Sequence, residues 1–146
     1  DNQTRMELAK KLGADVVLGK DHEIVQTIMA HTNGQGVDNS CEFSGSPNAL
    51  SNTIHSTRMG GYVNVLSVYG NKMTEIPMND IVFRYLHVKG INGRKMWSTW
   101  DKMHELLSEG KIDIDTLVTH RVSYEDFPNG VELAISGDCG KVVVDF

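Results

Sequence analysis

The stretch VDNSCEFSGSPNALSNTIHSTRMGGYVNVLSV, from Val37 to Val68, decides the fold class of this chain. Its first residues, VDNSCEFSG, predict a strand, and Ser46-Pro47 after them suits the N-cap and first turn of a helix. That helix carries Leu50 and Ile54 on one face. Gly60-Gly61 then predict a turn, and the apolar alternation of YVNVLSVYG predicts a second strand. A strand, a helix and a strand with short links are typical of parallel strands joined by a crossover helix.

The same alternation continues towards the N-terminus. TRMELAKKLGAD predicts a helix that ends at Gly13 in the left-handed conformation, and DVVLG predicts a short strand at Asp15–Leu18. DHEIVQTIMAHTNG predicts a second helix with Asp21 as its N-cap. We therefore predict the α/β class, with a doubly wound parallel sheet.

The C-terminal half adds further elements of both kinds. NDIVFRYLHVKGI predicts a short helix and a strand, and the next helix is expected to end at Gly110. One face of that helix carries Trp97, Trp100, Met103 and Leu107, a pattern typical of a core or an interface. A strand, a helix and a strand are then predicted in TLVTHRVS, FPNGVELAISG and GKVVVDF.

The composition excludes several classes of partner. A net charge of -5 over 146 residues argues against nucleic acid and anionic membranes, which both require a basic face. The apolar runs are far shorter than the roughly 20 residues that span a bilayer. The opening DNQTRMELAKK is polar and charged, unlike a signal peptide. Cys41 and Cys139 are expected to be reduced thiols, so we predict a cytoplasmic protein.

The histidines do not form a metal-binding pattern in the sequence. Four of them lie on predicted helices and are expected to be exposed: His22, His31, His55 and His104. His87 lies on an apolar strand, and His120 lies at a strand end that can face a cleft. The chain contains no HExxH motif and no zinc-finger cysteine pair, so we predict no metal site within it.

Other candidate motifs have structural explanations. Gly34-x-Gly36 precedes a strand, whereas a phosphate-binding loop follows one and opens a helix, so a turn is predicted. Cys41 and Glu42 are adjacent on one strand and should point to opposite faces. Arg5 lies near a helix start, against the helix dipole, and is either solvated or bound to an anionic or hydroxylated partner. Arg94 is expected to bind a carboxylate or phosphate, or to cap a loop.

Four blocks of sequence carry a resemblance that runs through the whole chain. They are RMELAKKLGAD, GVDNSCEFSGSPNAL, MGGYVNVLSV and KGINGRKMWSTW, the last with a later VTHR. The first three resemble zinc-dependent medium-chain dehydrogenases in general. The fourth, Gly-Ile-x-Gly-Arg running into an aromatic helix, narrows the resemblance to the threonine dehydrogenases.

This resemblance implies a partial Rossmann-type sheet whose first two strands are absent, in the strand order 3-2-1-4-5-6. Residues 1–93 would form part of an NAD-binding domain. Residues 94–146 would form a helix-strand-helix-strand segment that returns to the catalytic domain. Because the missing strands would separate Asp15–Leu18 from the later strands, we expect this strand to pair elsewhere, or the chain to dimerise or swap elements.

The resemblance also implies a cofactor site. Backbone groups of Leu66, Ser67 and Val68, and of Ile91 and Asn92, would contact the nicotinamide half of NAD. Arg5 would lie against the adenosine ribose. The zinc ligands, the Gly-rich loop and the acidic ribose-binding residue of the family have no counterpart in the chain. Ser67 stands where many relatives have glycine, which adds a side chain beside the nicotinamide.

The function implied is part of an NAD-dependent oxidoreductase that oxidises L-threonine to 2-amino-3-oxobutanoate. Relatives of this kind form tetramers through the strand matching LHVKGI, so a homo-oligomer is expected. We predict that the 146 residues alone are inactive. Two alternatives remain open from the residues: part of a polyol or butanediol dehydrogenase, and a freestanding nucleotide-binding or assembly module.

Overall fold

The computed structural model describes residues 2–19, 23–70 and 73–146. The chain divides into two compact units, one formed by Asp21–Gly93 and the other by Asp1–Lys20 together with Arg94–Phe146. The sequence instead assigned residues 1–93 to one domain and 94–146 to another. That assignment remains a prediction about the protein's domains.

Helices and strands alternate along the described residues. In chain order they are α1 Gln3–Lys11, α2 Ile24–His31, β1 Val37–Glu42, α3 Pro47–Ser56, β2 Thr57–Val65, α4 Met78–Phe83, β3 His87–Gly90, α5 Ser98–Ser108, α6 Ile114–Leu117, β4 Val118–Ser123, a 3-10 turn Tyr124–Asp126, α7 Phe127–Ser136 and β5 Lys141–Asp145. In the described ranges, no helix is long and apolar enough to cross a membrane.

The unit of residues 21–93 is built on a parallel sheet in the order β1-β2-β3. The predicted strand-helix-strand arrangement is confirmed, with α3 as the crossover between β1 and β2. Ser46 caps α3, since its hydroxyl oxygen accepts a hydrogen bond from the Ala49 N–H, and Pro47 follows in the first turn. The core lies where α3 and α4 pack on the sheet, and it contains Leu50, Ile54, Val63 and Leu86, flanked by Val65, Tyr69 and Ile81.

The predicted turn at Gly60-Gly61 is wrong, because both glycines lie inside β2. Val37 pairs with Thr57, but Asn39 pairs with Tyr62, so the register shifts across a bulge in β2. Gly60 has φ 68°, which a glycine adopts without steric cost. A Cβ on Gly61 would lie 2.6 Å from Thr57 Cγ2. The glycines therefore let the strand bulge and then resume its pairing, rather than reverse its direction.

The predicted strand at Asp15–Leu18 is also wrong, since these residues belong to no strand in the described structure. A strand is stable only when a neighbour pairs with its N–H and C=O groups. The neighbour expected from the order 3-2-1-4-5-6 has no counterpart among the described residues. The preceding helix does end as predicted, with Gly13 at φ 98°. Asp21, the predicted N-cap of α2, lies outside the described residues.

The other compact unit contains a parallel pair of strands, β4 and β5, joined by α7. Gly130 of α7 is buried against the pair, and a Cβ there would lie 2.9 Å from a methyl group of Val122. Leu8 of α1 and Cys139 are also buried in this unit. The helix-strand-helix-strand order predicted for the C-terminal segment is confirmed.

The aromatic face of α5 is exposed in this chain. Trp97 precedes the helix with φ 65° rather than lying within it. The side chains of Trp97, Trp100 and Met103 are 67%, 49% and 46% exposed. Arg94, whose partner the sequence left open, lies over the Trp100 ring at 5.3 Å from its centroid. This face was predicted to be a core or an interface; it is not a core among the described residues, and its role as an interface stays a prediction.

Candidate functional site

Three loops meet where the parallel strands β1, β2 and β3 end. The Leu66 N–H donates to the Glu42 carbonyl oxygen at 3.0 Å, which joins the ends of β2 and β1. The Ile91 N–H donates to the Val65 carbonyl oxygen at 2.9 Å, which joins the ends of β3 and β2. The carboxyl edge of an open α/β sheet is where ligands of such folds bind. We refer to residues 42–45, 66–69 and 91–92 as the carboxyl edge.

Five of the six residues predicted to contact a cofactor lie on this edge: Leu66, Ser67, Val68, Ile91 and Asn92. The Leu66 and Ile91 N–H groups are engaged in the sheet, as described above. Within the described structure, the backbones of Val68 and Asn92 make no hydrogen bond. The Val68 side chain is 90% exposed. The Val68 and Asn92 backbone groups therefore have no hydrogen-bond partner among the described residues.

The sixth residue, Arg5, belongs to the other compact unit. It lies in the first turns of α1, where its backbone N–H donates to the Asn2 side-chain oxygen at 3.0 Å. Its guanidinium Nε donates to the Cys139 carbonyl oxygen at 3.1 Å. The side chain is exposed but positioned by this contact.

The most unusual group on the carboxyl edge is the carboxylate of Glu42, which is only 2% exposed. Its Oε1 accepts hydrogen bonds from the Ser44 N–H at 2.7 Å, the Ser44 hydroxyl at 2.6 Å and the Gly45 N–H at 3.1 Å. Its Oε2 accepts from the Tyr69 hydroxyl at 2.6 Å and from the Ser67 hydroxyl. A buried carboxylate is tolerated because donors surround both of its oxygens.

These donors determine the charge of Glu42. Burial raises the pKa of its carboxyl, but the hydrogen bonds from Ser44, Ser67 and Tyr69 outweigh burial and lower the pKa from 4.5 to about 2. Burial and the neighbouring carboxylate raise the pKa of the Tyr69 hydroxyl, which therefore stays protonated and donates. Glu42 is thus an anion at neutral pH.

The sequence did not identify Glu42 as part of a site. It predicted that Cys41 and Glu42 point to opposite faces, and Cys41 is exposed while Glu42 is buried. The signal that was available is a carboxylate at the last strand position, followed at once by Ser44-Gly45. Such a turn offers backbone N–H groups to a carboxylate. The partners Ser67 and Tyr69 lie too far along the chain for a local pattern to reveal them.

The histidines lie apart from this edge network. His87 of β3 stacks on Tyr62 with ring centroids 4.6 Å apart, and His55 Nε2 lies 3.6 Å from an Asp80 carboxylate oxygen. His120 Nδ1 contacts the Thr119 hydroxyl at 2.9 Å. His22 lies outside the described residues. In the part of the chain that the structure describes, no three His, Cys, Asp or Glu side chains are grouped so as to hold a metal ion.

A parallel α/β sheet of this kind, with crossover helices, is typical of doubly wound folds such as the Rossmann-type domains. Residues 1–109 match the zinc-binding dehydrogenase family, and the chain belongs to that family. The resemblance found in the sequence is thereby confirmed. Because the described residues do not form a zinc site, no chemistry of zinc is derived from them.

Relatives narrow the comparison further. The chain is 41% identical over 144 residues to an L-threonine 3-dehydrogenase of Bacillus licheniformis. That alignment covers 98% of this chain and 42% of the relative. It is 39% identical over 141 residues to an L-threonine 3-dehydrogenase of Pyrococcus horikoshii. That alignment covers 95% of this chain and 40% of the relative. The chain thus spans about two fifths of the length of these curated relatives.

Solved structures share the fold. The 2R,3R-butanediol dehydrogenase of Bacillus subtilis superposes with a TM-score of 0.87 at 32% identity, over 98% of this chain and 41% of that one. An alcohol dehydrogenase of a Thermus species gives a TM-score of 0.87 at 26% identity, over 99% of this chain and 42% of that one. The α/β fold predicted from the sequence, a partial Rossmann-type domain, is confirmed by these matches.

Proposed function

We propose that this chain is the C-terminal portion of an NAD-dependent oxidoreductase that oxidises L-threonine to 2-amino-3-oxobutanoate, and that it supplies part of the nicotinamide site. The observation that carries the proposal is the carboxyl edge, where Leu66–Val68 and Ile91–Asn92 lie side by side and where Leu66, Val68 and Asn92 are exposed. The close relatives named L-threonine 3-dehydrogenase support the substrate.

The edge fits a nicotinamide because of its backbone groups. The ring carries a carboxamide, which needs both a donor and an acceptor to be held in one orientation. Val68 and Asn92 offer both, and none of these backbone groups is used within the described structure. NAD, when bound, accepts the hydride that leaves the substrate carbon. The role of the chain is to orient the ring and to exclude water from one side of it.

We propose that Arg5 contacts the other half of NAD, at the adenosine ribose. Its Nε is held by the Cys139 carbonyl oxygen, which leaves the terminal guanidinium nitrogens as donors. Ribose hydroxyl groups are suitable acceptors for these nitrogens. We propose that zinc belongs to the full-length enzyme and that no residue of this chain is a zinc ligand.

A second substrate class is favoured by one observation. The solved structure that superposes at 32% identity is a butanediol dehydrogenase, so 2,3-butanediol is the competing substrate. Both substrates are small alcohols with a neighbouring polar group. The residues that distinguish them are expected in the three fifths of the relatives that this chain does not cover.

The test is an activity assay on the longer protein whose sequence continues upstream of Asp1. We expect it to form NADH with L-threonine at a kcat/KM well above that with 2,3-butanediol. The 146-residue chain alone is expected to form none with either alcohol. A higher kcat/KM with 2,3-butanediol would make butanediol, and not L-threonine, the substrate. NADH formation by the 146-residue chain alone would contradict the proposal that catalysis requires the rest of the enzyme. A gene that starts near Asp1 would favour the freestanding module instead.

We also propose that the protein forms a homo-oligomer and lies in the cytoplasm. All four residues of β3 are exposed, and β3 pairs with β2 on one side. We propose that this strand contributes to a homo-oligomer. The two free cysteines support a cytoplasmic location.

A further inference from the structure

Glu42 connects two loops of the carboxyl edge. Its Oε1 takes donors from Ser44 and Gly45, which follow β1. Its Oε2 takes the hydroxyl groups of Ser67 and Tyr69, which follow β2. The carboxylate therefore links the loop after β1 to the loop after β2. The backbone pairing of the sheet joins these two loops only at their first residues, Glu42 and Leu66.

Glu42 also holds the same loop through its main chain. The Leu66 N–H donates to the Glu42 carbonyl oxygen at 3.0 Å. One residue thus binds three of four consecutive residues in the second loop, namely Leu66, Ser67 and Tyr69. The remaining residue, Val68, is 90% exposed and its backbone makes no hydrogen bond with the described residues. Since Val68 makes no hydrogen bond of its own with the described residues, its position depends on the adjacent residues Ser67 and Tyr69.

We propose that Glu42 is a positioning residue that holds the Leu66–Val68 segment in one conformation through the hydroxyl groups of Ser67 and Tyr69. The cofactor surface that this conformation creates rests on the proposed function, whereas the positioning itself does not. Ser67 is one of the two donors and gives the segment an anchor that a glycine at this position would lack.

The chemistry of the bridge is well matched. A carboxylate only accepts hydrogen bonds, and each of its partners here is a donor. Bonds to an ionised acceptor are shorter and stronger than neutral ones. Glu42 is the one charged partner of the Ser67 and Tyr69 hydroxyl groups among the described residues, while the Tyr69 ring also packs against the core.

The test removes the bridge from the loop side, because a change at Glu42 itself would also alter its hydrogen bonds with Ser44 and Gly45 in the first loop. Tyr69→Phe and Ser67→Ala each delete one hydroxyl group and leave the first loop intact. Tyr62→Phe is the matched control, since Tyr62 lies on β2 and its hydroxyl makes no hydrogen bond with the described residues. The measurement is ¹⁵N NMR relaxation on the 146-residue chain, with the backbone order parameter of Val68 as the readout.

We expect the Val68 order parameter to lie near that of rigid backbone, about 0.85, and to fall below about 0.6 in Tyr69→Phe and in Ser67→Ala. Tyr62→Phe should leave it unchanged. NADH titrated into the same samples should shift the Val68 and Asn92 amides, with a dissociation constant raised about tenfold in Tyr69→Phe, as for one lost hydrogen bond to a charged group.

The outcomes separate the two claims. An unchanged Val68 order parameter in both loop variants would overturn the positioning role. A reduced order parameter together with weaker NADH binding would support it and the cofactor surface alike. In a third outcome the Val68 order parameter falls in the loop variants, but NADH does not shift the Val68 and Asn92 amide signals. That result would support the positioning role and contradict the proposed cofactor surface.

Discussion

At the scale of single residues, Glu42 shows how a charge can be buried without an ion pair. Within the described residues, donors from two loops meet both oxygens of its carboxylate, and no salt bridge includes it. The hydrogen bonds favour the ionised form more than burial disfavours it, so the pKa falls to about 2. A residue of this kind links the stability of the fold to pH.

Glu42 is expected to stabilise the folded chain at neutral pH and to lose this effect in acid. Its pKa is about 2 when folded and 4.5 ordinarily, so the stabilisation is full above pH 4.5 and declines as the pH falls towards 2. The difference corresponds to roughly 3 kcal/mol at neutral pH. The measurement is the free energy of unfolding in urea for the wild type and for Glu42→Gln, at several pH values between 2 and 7.

Glu42→Gln removes the titrating group while keeping its size. We expect the gap between the two proteins to be largest at pH 7 and to shrink to a few tenths of a kcal/mol near pH 2, where about half of the folded Glu42 is protonated. A gap that stays constant across this range would show that the charge is not what stabilises the fold.

At the scale of elements, the bulge in β2 determines how β1 and β2 pair. The ladder runs from Val37–Thr57 to Asn39–Tyr62, and the extra residues of β2 include both glycines. A Cβ on Gly61 would meet the Arg58 carbonyl oxygen at 2.9 Å and the Asp38 carbonyl oxygen at 3.0 Å, in addition to the Thr57 methyl group. The close approach of the two strands at this point therefore requires glycine.

Gly61→Ala should reduce the free energy of unfolding by about 1–3 kcal/mol, because the added methyl group meets backbone atoms that cannot move aside easily. Gly90→Ala is the matched control, since Gly90 also lies in a strand of this sheet and a Cβ there would meet nothing within 4 Å. Both substitutions restrict the unfolded chain equally, so their difference isolates the steric cost. Equal stabilities in urea unfolding would mean that the strands separate at the bulge without penalty.

At the scale of the whole molecule, the described residues leave strand edges unpaired. β1 and β3 each pair with β2 and have no second neighbour among the described residues. The side chains of Val88 on β3 and of Phe83 just before it are 46% and 73% exposed. Open edges flanked by apolar side chains favour association with another chain.

We expect the chain to self-associate in solution, with β3 as a contact. Sedimentation equilibrium should give a mass above 16.2 kDa that rises with concentration. Val88→Lys places a charge on the open edge and should weaken association about tenfold. Ile135→Lys, at an equally apolar and 80% exposed position on α7, is the control and should leave the mass unchanged. A monomer at all concentrations up to about 100 μM, a range in which open edges associate, would contradict this expectation.

Local chemistry explains which elements could be predicted from the sequence. The cap at Ser46, the apolar face of α3 and the left-handed Gly13 depend on residues a few positions apart, and all three are observed. The family resemblance implied that Leu66–Val68 and Ile91–Asn92 lie near each other, and both segments are observed at the carboxyl edge. Their role with a cofactor stays a prediction.

Long-range contacts explain what the sequence missed. Asp15–Leu18 carries the composition of a strand, yet pairing is a property of two segments, and no partner lies beside it in the described structure. Gly60-Gly61 reads as a turn until the pairing with β1 shows a bulge. The exposure of Trp97 and Trp100 depends in the same way on what packs against them.

By itself the sequence determined the α/β class, the order of most elements and the family, because these depend on periodicity and on local motifs. Only the tertiary structure decided that Glu42 is buried and ionised, since its partners Ser67 and Tyr69 lie 25 and 27 positions away along the chain. The sheet brings them together by pairing β1 with β2. A carboxylate becomes an anchor only when distant donors converge on it, and that convergence is a property of the fold.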